Sequence, residues 1–190
     1  MMAGKLKENS LNAKKILPVI FLVLFSAGFG YVSWVLKFGP VKILRYYILV
    51  YTVYYLACVD LKTRIVPNRI LLILLAVRTA LFLAEALLYP EYILAFLSSS
   101  VSGAVLGMAV LLTGNVLCRK GMGFGDIKLS GVIGYYVGPQ AVMFVLFFSL
   151  LTAAVYSIVL LLGKKISAKD EIPFVPFVFA GLAVTCLLGA

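Results

Sequence analysis

The sequence of 190 residues is 64% apolar and only 13% charged, whereas a soluble domain is about 45–50% apolar and about 25% charged. This composition excludes a soluble globular protein, and at about 20 residues per bilayer crossing it allows at most about seven transmembrane helices. The sequence contains no histidine, which excludes HExxH zinc proteases and Ser-His or Cys-His enzymes. The net charge is +10, and the lysine and arginine residues that produce it cluster at the ends of the apolar runs. We therefore expect these residues to contact anionic lipid headgroups rather than nucleic acid.

Seven apolar runs predict an all-α, polytopic membrane helical bundle with six to seven transmembrane segments. Residues 1–15 are the predicted basic cytoplasmic tail, residues 16–36 the N-terminal anchor helix, and residues 43–190 the main membrane domain. The first run is longer than the 7–15 residues of a signal-peptide core and lacks an A-x-A cleavage site, so we interpret it as an anchor. The fifth run is too short to cross the bilayer alone. The runs are 16–36, 43–59, 70–88, 92–117, 127–137, 141–162 and 172–188.

The distribution of lysine and arginine predicts a multi-pass protein of the inner (plasma) membrane with its N-terminus in the cytoplasm, because cytoplasmic loops carry the excess of these residues. With seven crossings, thirteen lysine and arginine residues fall on the cytoplasmic side, and three fall in the segment 37–45 on the other side. That discordant segment would move to the cytoplasmic side if the first run were re-entrant. The thirteen are Lys5, Lys7, Lys14, Lys15, Lys62, Arg64, Arg69, Arg119, Lys120, Lys128, Lys164, Lys165 and Lys169.

Several residues inside the runs are predicted to serve packing. Gly103 and Gly107 have GxxxG spacing, which lets another helix approach closely. Arg78 and Glu85 lie seven residues apart on one helical face near the middle of the membrane, and we expect this pair to neutralise charge rather than to take part in a mechanism. The cysteines form no CxxC pair and predict apolar packing rather than a zinc site or a disulfide. They are Cys58, Cys118 and Cys186.

Two of the seven acidic residues lie at the predicted cytoplasmic edge of the membrane: Asp60 ends the second run and Asp126 opens the fifth. An acid at this depth is costly unless it is paired or functional, and the structural alternative is that each caps a helix or pairs with a nearby lysine. Alternate glycines at 121, 123 and 125 remove side chains and allow unusual backbone angles, so another backbone could lie against this segment. Two carboxylates that flank a peptide bond and share a proton could act as general base and general acid on water.

Three segments resemble motifs of the type IV prepilin peptidases, a family of membrane aspartic proteases. Segment 60–68, DLKTRIVPN, resembles D-x-x-T-x-x-I-P-N, with valine in place of the usual isoleucine. Segment 121–129, GMGFGDIKL, resembles GMGxGDxKL, which contains the GxGD signature of these proteases. Segment 172–177, IPFVPF, is similar to IPFGPF. The segments occur in the family's order, and the similarity covers about residues 43–188, which makes 43–190 the expected protease domain.

The resemblance implies an aspartic endopeptidase that cleaves prepilins and pseudopilins on the cytoplasmic side, with Asp60 and Asp126 as the catalytic acids. Its implied substrates carry a short basic leader, a glycine before the cut and a hydrophobic helix after it. No metal or other cofactor is implied. Many bacterial members also have an N-terminal domain with paired CxxC motifs that methylates the new N-terminus. We find no such domain in the sequence and expect the short, peptidase-only form, which uses no S-adenosylmethionine.

Residues near the two aspartates are candidates for supporting roles. Gly123 and Gly125 are expected to shape the loop that presents Asp126, with helix packing as the alternative. Pro67 and Asn68 are expected to begin the next helix through a fixed φ and through capping. The remaining candidates are Lys62, Thr63, Arg64 and Lys128. The three charged residues either adjust the protonation of the two aspartates or, as we favour, contact lipid phosphate groups.

Two other classes of function stay open at the level of the sequence. A non-enzymatic transporter or channel subunit would use Asp60, Asp126 and Arg78 as an ion path. A catalytically idle scaffold of a pilus system would keep the fold without the reaction. Asp170 and Glu171 either meet a basic leader or, as we favour, are ordinary loop charges.

Overall fold

Seven α-helices make up most of the part of the chain that the structure describes. The computed structural model describes the backbone of residues 2–117, 123–163 and 172–189, and their side chains from residue 18 onward. These residues contain no strand, so the predicted all-α fold is confirmed. A short 3₁₀ helix, Pro90–Tyr92, connects the third and fourth helices. The helices are α1 (Met2–Val35), α2 (Pro40–Thr63), α3 (Asn68–Leu88), α4 (Ile93–Leu117), α5 (Phe124–Val137), α6 (Pro139–Leu162) and α7 (Val175–Leu187).

Some residues of the sequence analysis lie outside the described residues or have side chains that are not described. They are Lys5, Lys7, Lys14, Lys15, Cys118, Arg119, Lys120, Gly121, Lys164, Lys165, Lys169, Asp170 and Glu171.

Five of these helices are long and apolar enough to cross a membrane: α1 from Pro18 onward, α2, α3, α4 and α6. The other two, α5 with 14 residues and α7 with 13, are about 20 Å long at 1.5 Å per residue. They are shorter than the hydrocarbon core of a bilayer, which is about 30 Å thick. The bundle is therefore polytopic, with two short helices packed among longer ones.

Helix ends differ from the apolar runs where polar residues or prolines intervene. The second run was predicted to end before Asp60, but α2 continues to Thr63 and contains this aspartate in its last turn. The last run was predicted from residue 172, but α7 begins at Val175. Pro176 lies in the first turn of α7, where the missing N–H of proline costs no hydrogen bond. The helix α1 begins at Met2, so the predicted tail is continuous with the anchor helix.

The helices α4 and α5 pack backbone against backbone, as the GxxxG spacing predicted. A Cβ atom on Gly103 would collide with the carbonyl oxygen of Gly134, and one on Gly107 would collide with that of Ser130. Ser130 Oγ also donates a hydrogen bond of 2.8 Å to the Gly107 carbonyl oxygen. This close approach fixes the position of α5, which carries Asp126 in its first turn.

A buried ion cluster joins four helices at the end of the bundle away from Asp60. Arg78 on α3 is 1% exposed and pairs with Glu85 of the same helix at 3.0 Å, which confirms the predicted neutralisation. It also donates hydrogen bonds to Ser100 Oγ on α4 and to the Tyr135 carbonyl oxygen on α5. Arg45 on α2 pairs with the second oxygen of Glu85 at 3.1 Å.

Apolar side chains fill the rest of the core, and α2 lies at its centre. Phe29 of α1 is buried there. Cys186 is also buried and free, as predicted for a packing residue, while Cys58 is a half-buried free thiol. The buried apolar residues of α2 are Tyr46, Leu49, Val50, Val53, Leu56 and Ala57.

Candidate active site

Asp60 is buried in the last turn of α2 and faces the start of α7. Its exposed fraction is 4%, and its Oδ2 accepts a hydrogen bond of 3.1 Å from the backbone N–H of Val175. The backbone of Phe174 adds a further hydrogen bond, and the charge of Arg64 attracts the carboxylate. The N-terminus of a helix is a favourable place for negative charge because its first N–H groups lack partners in the helix.

The end of α2 is defined by its last residues. Arg64 has a left-handed φ of 53°, and its N–H donates to the Asp60 carbonyl oxygen at 2.9 Å. The Thr63 hydroxyl donates to the Val59 carbonyl oxygen at 3.0 Å. Thr63 therefore stabilises the helix end that holds Asp60, while Lys62 is an exposed residue.

Asp126 lies in the first turn of α5, three residues after the N-cap residue Gly123. The backbone N–H of Asp126 donates to the Gly123 carbonyl oxygen at 3.0 Å, and the carboxylate accepts a hydrogen bond from the Gly123 backbone in return. The bond from the Gly123 backbone to the Asp126 carboxylate is one half of a helix capping box, since glycine has no side chain to supply the other half. Both aspartates thus cap a helix, as the structural alternative predicted, and their carboxylates remain available for chemistry.

The two carboxylates interact electrostatically. Burial raises the pKa of Asp126 to about 6, the negative charge of Asp60 acts in the same direction, and the hydrogen bond from Gly123 opposes both. Asp126 lies on the short helix α5, which is not among the helices long enough to span the bilayer. Two carboxylates whose charges disfavour each other share a proton more readily than two isolated ones.

The segments that carry the two aspartates are in direct contact. A Cβ atom on Gly125 would lie 3.0 Å from Val66 Cβ, in the loop between α2 and α3. Lys128 Nζ donates a hydrogen bond of 3.3 Å to Asn68 Oδ1. These contacts bring the 60–68 segment and the GxGD segment to one end of the bundle, which we call the aspartate end. Arg45, Glu85 and Gly138 define the opposite end.

Two expectations about this region are wrong in detail. Gly123 is extended with φ −66°, and neither it nor Gly125 has a positive φ, so these glycines do not provide unusual backbone angles. Gly125 is instead needed because Val66 lies against it. The helix α3 does begin at Asn68 after the N-cap residue Pro67, as expected, but this N-cap residue makes no side-chain capping hydrogen bond, so the expected capping is absent. The Asn68 side chain is engaged by Lys128 instead.

The sequence motifs did not predict that the 172–177 segment contacts Asp60. Its backbone N–H at Val175 donates to the carboxylate, and a backbone donor can be supplied by any residue except proline. The only available signal was the proline pattern of the segment, which predicts a helix start. Among the described residues no group of three histidine, cysteine or acidic side chains is placed to hold a metal ion.

Comparison with known proteins agrees with the motifs. A model of the type IV leader peptidase family matches residues 47–158, which is more than half of the chain and includes both aspartates. The chain belongs to the type IV leader peptidase family. This confirms the resemblance predicted from the three segments.

Three curated relatives are named prepilin leader peptidase/N-methyltransferase. The chain is 32% identical to that of Bacillus subtilis (strain 168) over 133 residues, or 70% of this chain and 51% of the relative. It is 37% identical to that of Aeromonas salmonicida (strain A449) over 90 residues, or 43% of this chain and 30% of the relative. It is 27% identical to that of Stutzerimonas stutzeri over 196 residues, or 98% of this chain and 63% of the relative. The matched region thus spans about half of the Bacillus protein. No solved structure is significantly similar to the chain.

Proposed function

We propose that this protein is a membrane aspartic endopeptidase that cleaves the short basic leader of type IV prepilin-like proteins at the cytoplasmic face of the membrane. Membership of the leader peptidase family supports the reaction class. The observation that carries the proposal is the contact of Gly125 with Val66, which brings the segments of Asp60 and Asp126 together at one end of the bundle, where the charge of Asp60 acts on Asp126. Residues 43–190 form the protease domain in this proposal, and the first helix serves as an anchor.

The two carboxylates have different surroundings and therefore different roles. Burial disfavours charge on both carboxylates, but Asp60 accepts backbone hydrogen bonds from Val175 and Phe174 and is attracted by Arg64, which favour its ionised form. Asp126 accepts one from Gly123 and faces the negative charge of Asp60, which favours its protonated form. Asp60 takes a proton from water, and the hydroxide adds to the carbonyl carbon of the scissile peptide bond. Asp126 donates its proton to the leaving nitrogen as the C–N bond breaks. The products are a leader with a new carboxylate and a mature protein with a free amino group.

The cytoplasmic position of the aspartate end is supported by the excess of basic residues in the loops at that end. Of the three discordant basic residues, Arg45 is not a free loop charge because Glu85 pairs with it. Lys42 lies with its Nζ 3.5 Å from the centre of the Phe38 ring. Lys37 and Lys42 thus remain as discordant charges without an ion-pair partner among the described residues, and they are few beside the thirteen on the other side.

An ion path through Asp60, Asp126 and Arg78 receives no support from the contacts of Arg78. This guanidinium binds Glu85, Ser100 and the Tyr135 carbonyl oxygen, so its donors are used within the bundle.

Coexpression with a prepilin-like substrate tests the proposal. The substrate carries a basic leader, a glycine before the cut and an apolar helix, and cleavage appears as a shift on a gel. Asp60→Asn and Asp126→Asn are each expected to abolish cleavage, because each removes one of the two proton-transfer groups. Glu91→Gln, which removes an exposed acid between α3 and α4, is the matched control and should cleave normally. Complete cleavage by either aspartate variant, present in the membrane at normal amounts, contradicts the proposal.

A further inference from the structure

A large cavity lies at the opposite end of the bundle. It has a volume of about 1520 Å³, and neither Asp60 nor Asp126 lines it. Its walls come from the first turns of α2, the last turns of α3, the start of α4 and the junction of α5 with α6. The proposed peptidase reaction therefore leaves this cavity unassigned.

Positive charge exceeds negative charge among the described residues that line the cavity. Lys42, Arg45 and Arg78 carry three positive charges, and Glu85 is the single acid. Glu85 is shared by both guanidinium groups. Lys42 forms no ion pair with a described residue, and its ammonium group faces the ring of Phe38. A cavity with two surplus cations in apolar surroundings favours an anionic ligand.

The donors of Arg45 are only partly used. One Nη1 donor binds Glu85, and the guanidinium also bonds with the Tyr46 side chain, while its buried Nε has no hydrogen-bond partner among the described residues. A buried donor without a partner costs about 1–3 kcal/mol. Guanidinium groups with spare donors match the oxygen atoms of a phosphate, which they bind in a bidentate manner.

The apolar part of the cavity reaches the outer surface of the bundle. Leu106, Met143 and Phe144 line it, and these three side chains are 38–50% exposed. Such a wall faces the acyl chains of the bilayer rather than water. A ligand that uses both regions carries a phosphate at one end and a hydrocarbon chain at the other.

The depth of the basic residues in the membrane agrees with a ligand that carries a phosphate and a hydrocarbon chain. Arg45 lies five residues after Pro40, the first residue of α2, which is about 7.5 Å along a helix. The headgroup layer on each side of the hydrocarbon core is roughly 5–7 Å thick. Tyr89 and Tyr92, exposed residues of the same cavity, are typical of the membrane interface.

We infer that this cavity binds an anionic phospholipid, with the phosphate held by Lys42 and Arg45 and an acyl chain packed against Met143 and Phe144. Arg78 stays with Glu85, Ser100 and the Tyr135 carbonyl oxygen, and it takes no part in binding the phosphate. Binding is separate from proteolysis, and it is measured on the full chain without any cleavage assay.

Native mass spectrometry of the delipidated full-length protein in detergent tests this inference. Titration with phosphatidylglycerol is expected to give saturable binding of one lipid, whereas phosphatidylcholine of the same chains binds more weakly because its choline group makes the headgroup zwitterionic, with no net negative charge. Lys42→Gln should weaken phosphatidylglycerol binding about tenfold, the loss expected for one charge-assisted hydrogen bond. Lys42→Arg should keep it. Lys37→Gln removes an exposed lysine that does not line the cavity and should bind like the unmodified protein.

Two further ligands and one further variant separate a lipid from a free phosphate. Glycerol 3-phosphate and inorganic phosphate should bind far more weakly than the lipid, and Phe144→Ala should weaken lipid binding alone. Equal affinity for glycerol 3-phosphate and for the lipid overturns the assignment to a lipid. Equal binding by Lys42→Gln and Lys37→Gln, or equal affinity for the two lipids, overturns the site itself.

Discussion

Asp126 exchanges its proton within the range of ordinary buffers. Its pKa is about 6 in the folded protein, above the ordinary 3.8 of an aspartate. The folded state therefore binds the proton more tightly than the unfolded state does. This contribution to stability is fully present below about pH 3.8, and it is lost as the pH rises through 6.

A comparison of melting temperatures in detergent micelles tests this titration. The melting temperature of the unmodified protein, relative to that of Asp126→Asn, is expected to fall between about pH 4 and about pH 6.5 and to level off above that range. Asp60→Asn should move the midpoint of this fall to lower pH, because it removes a negative charge that raises the pKa of Asp126. An unchanged midpoint in Asp60→Asn would show that the two carboxylates do not interact.

Gly125 provides a second prediction at the scale of one residue. Its hypothetical Cβ lies 3.0 Å from Val66 Cβ, so Gly125→Ala forces the two aspartate-bearing segments apart by a few tenths of an ångström. Since a misplacement of about 1 Å costs roughly 100-fold in rate, we expect about tenfold slower cleavage in the gel assay, without loss of protein.

The paired substitution and its control make this prediction specific. Val66→Gly combined with Gly125→Ala should recover most of the rate, because it removes Val66 Cβ and Cγ2, the two side-chain atoms that the new methyl group would meet. Gly114→Ala places a methyl group in α4 where no atom lies within 4 Å, and it should cleave normally. Equal rates for Gly125→Ala and Gly114→Ala would show that the contact with Val66 does not position the site.

At the scale of helices, apolar runs predicted the order and number of the elements because the bilayer demands continuous apolar stretches. They did not predict helix ends in polar sequence, such as the extension of α2 through Asp60 to Thr63. Nor did they predict that the α7 backbone donates to a carboxylate 115 residues away in the chain. Such a contact depends on tertiary packing, and a backbone donor has no side-chain signature. Asp60 and Asp126 could be chosen as candidate catalytic residues from the sequence because an acidic residue at the membrane edge is rare.

The contact between α4 and α5 is expected to dominate the cost of mutations in this pair of helices. Gly134→Ala would drive a Cβ atom into the Gly103 backbone, which neither helix can avoid without separating. We expect a loss of about 3 kcal/mol, the upper range for overpacking, measured as a lower midpoint of chemical unfolding in micelles. Gly30→Ala, whose Cβ would meet only Tyr47 Oη at 3.7 Å, should leave the midpoint unchanged. Similar midpoints for both variants would contradict the backbone contact.

At the scale of the whole molecule, Glu85 compensates two buried guanidinium groups on different helices. Glu85→Gln leaves Arg45 and Arg78 without a counter-charge in apolar surroundings. Breaking a buried ion pair in this way costs about 3–5 kcal/mol, so we expect much less folded protein by size-exclusion chromatography in detergent. Glu91→Gln removes an exposed acid near the same end and should give normal amounts. Normal yield of Glu85→Gln would show that the cluster is not needed for assembly.

The ion cluster also bears on the order in which the chain is assembled during synthesis. Arg78 and Glu85 belong to the same helix and pair at 3.0 Å, so α3 can leave the translocon with its deepest charge already compensated. Arg45 on α2 is synthesised earlier and obtains its partner only when α3 arrives. The hairpin of α2 and α3 is therefore the first unit of the nascent chain in which Arg45, Arg78 and Glu85 are all paired. Ser100 on α4 and the Tyr135 carbonyl oxygen on α5 join it as the later helices are made.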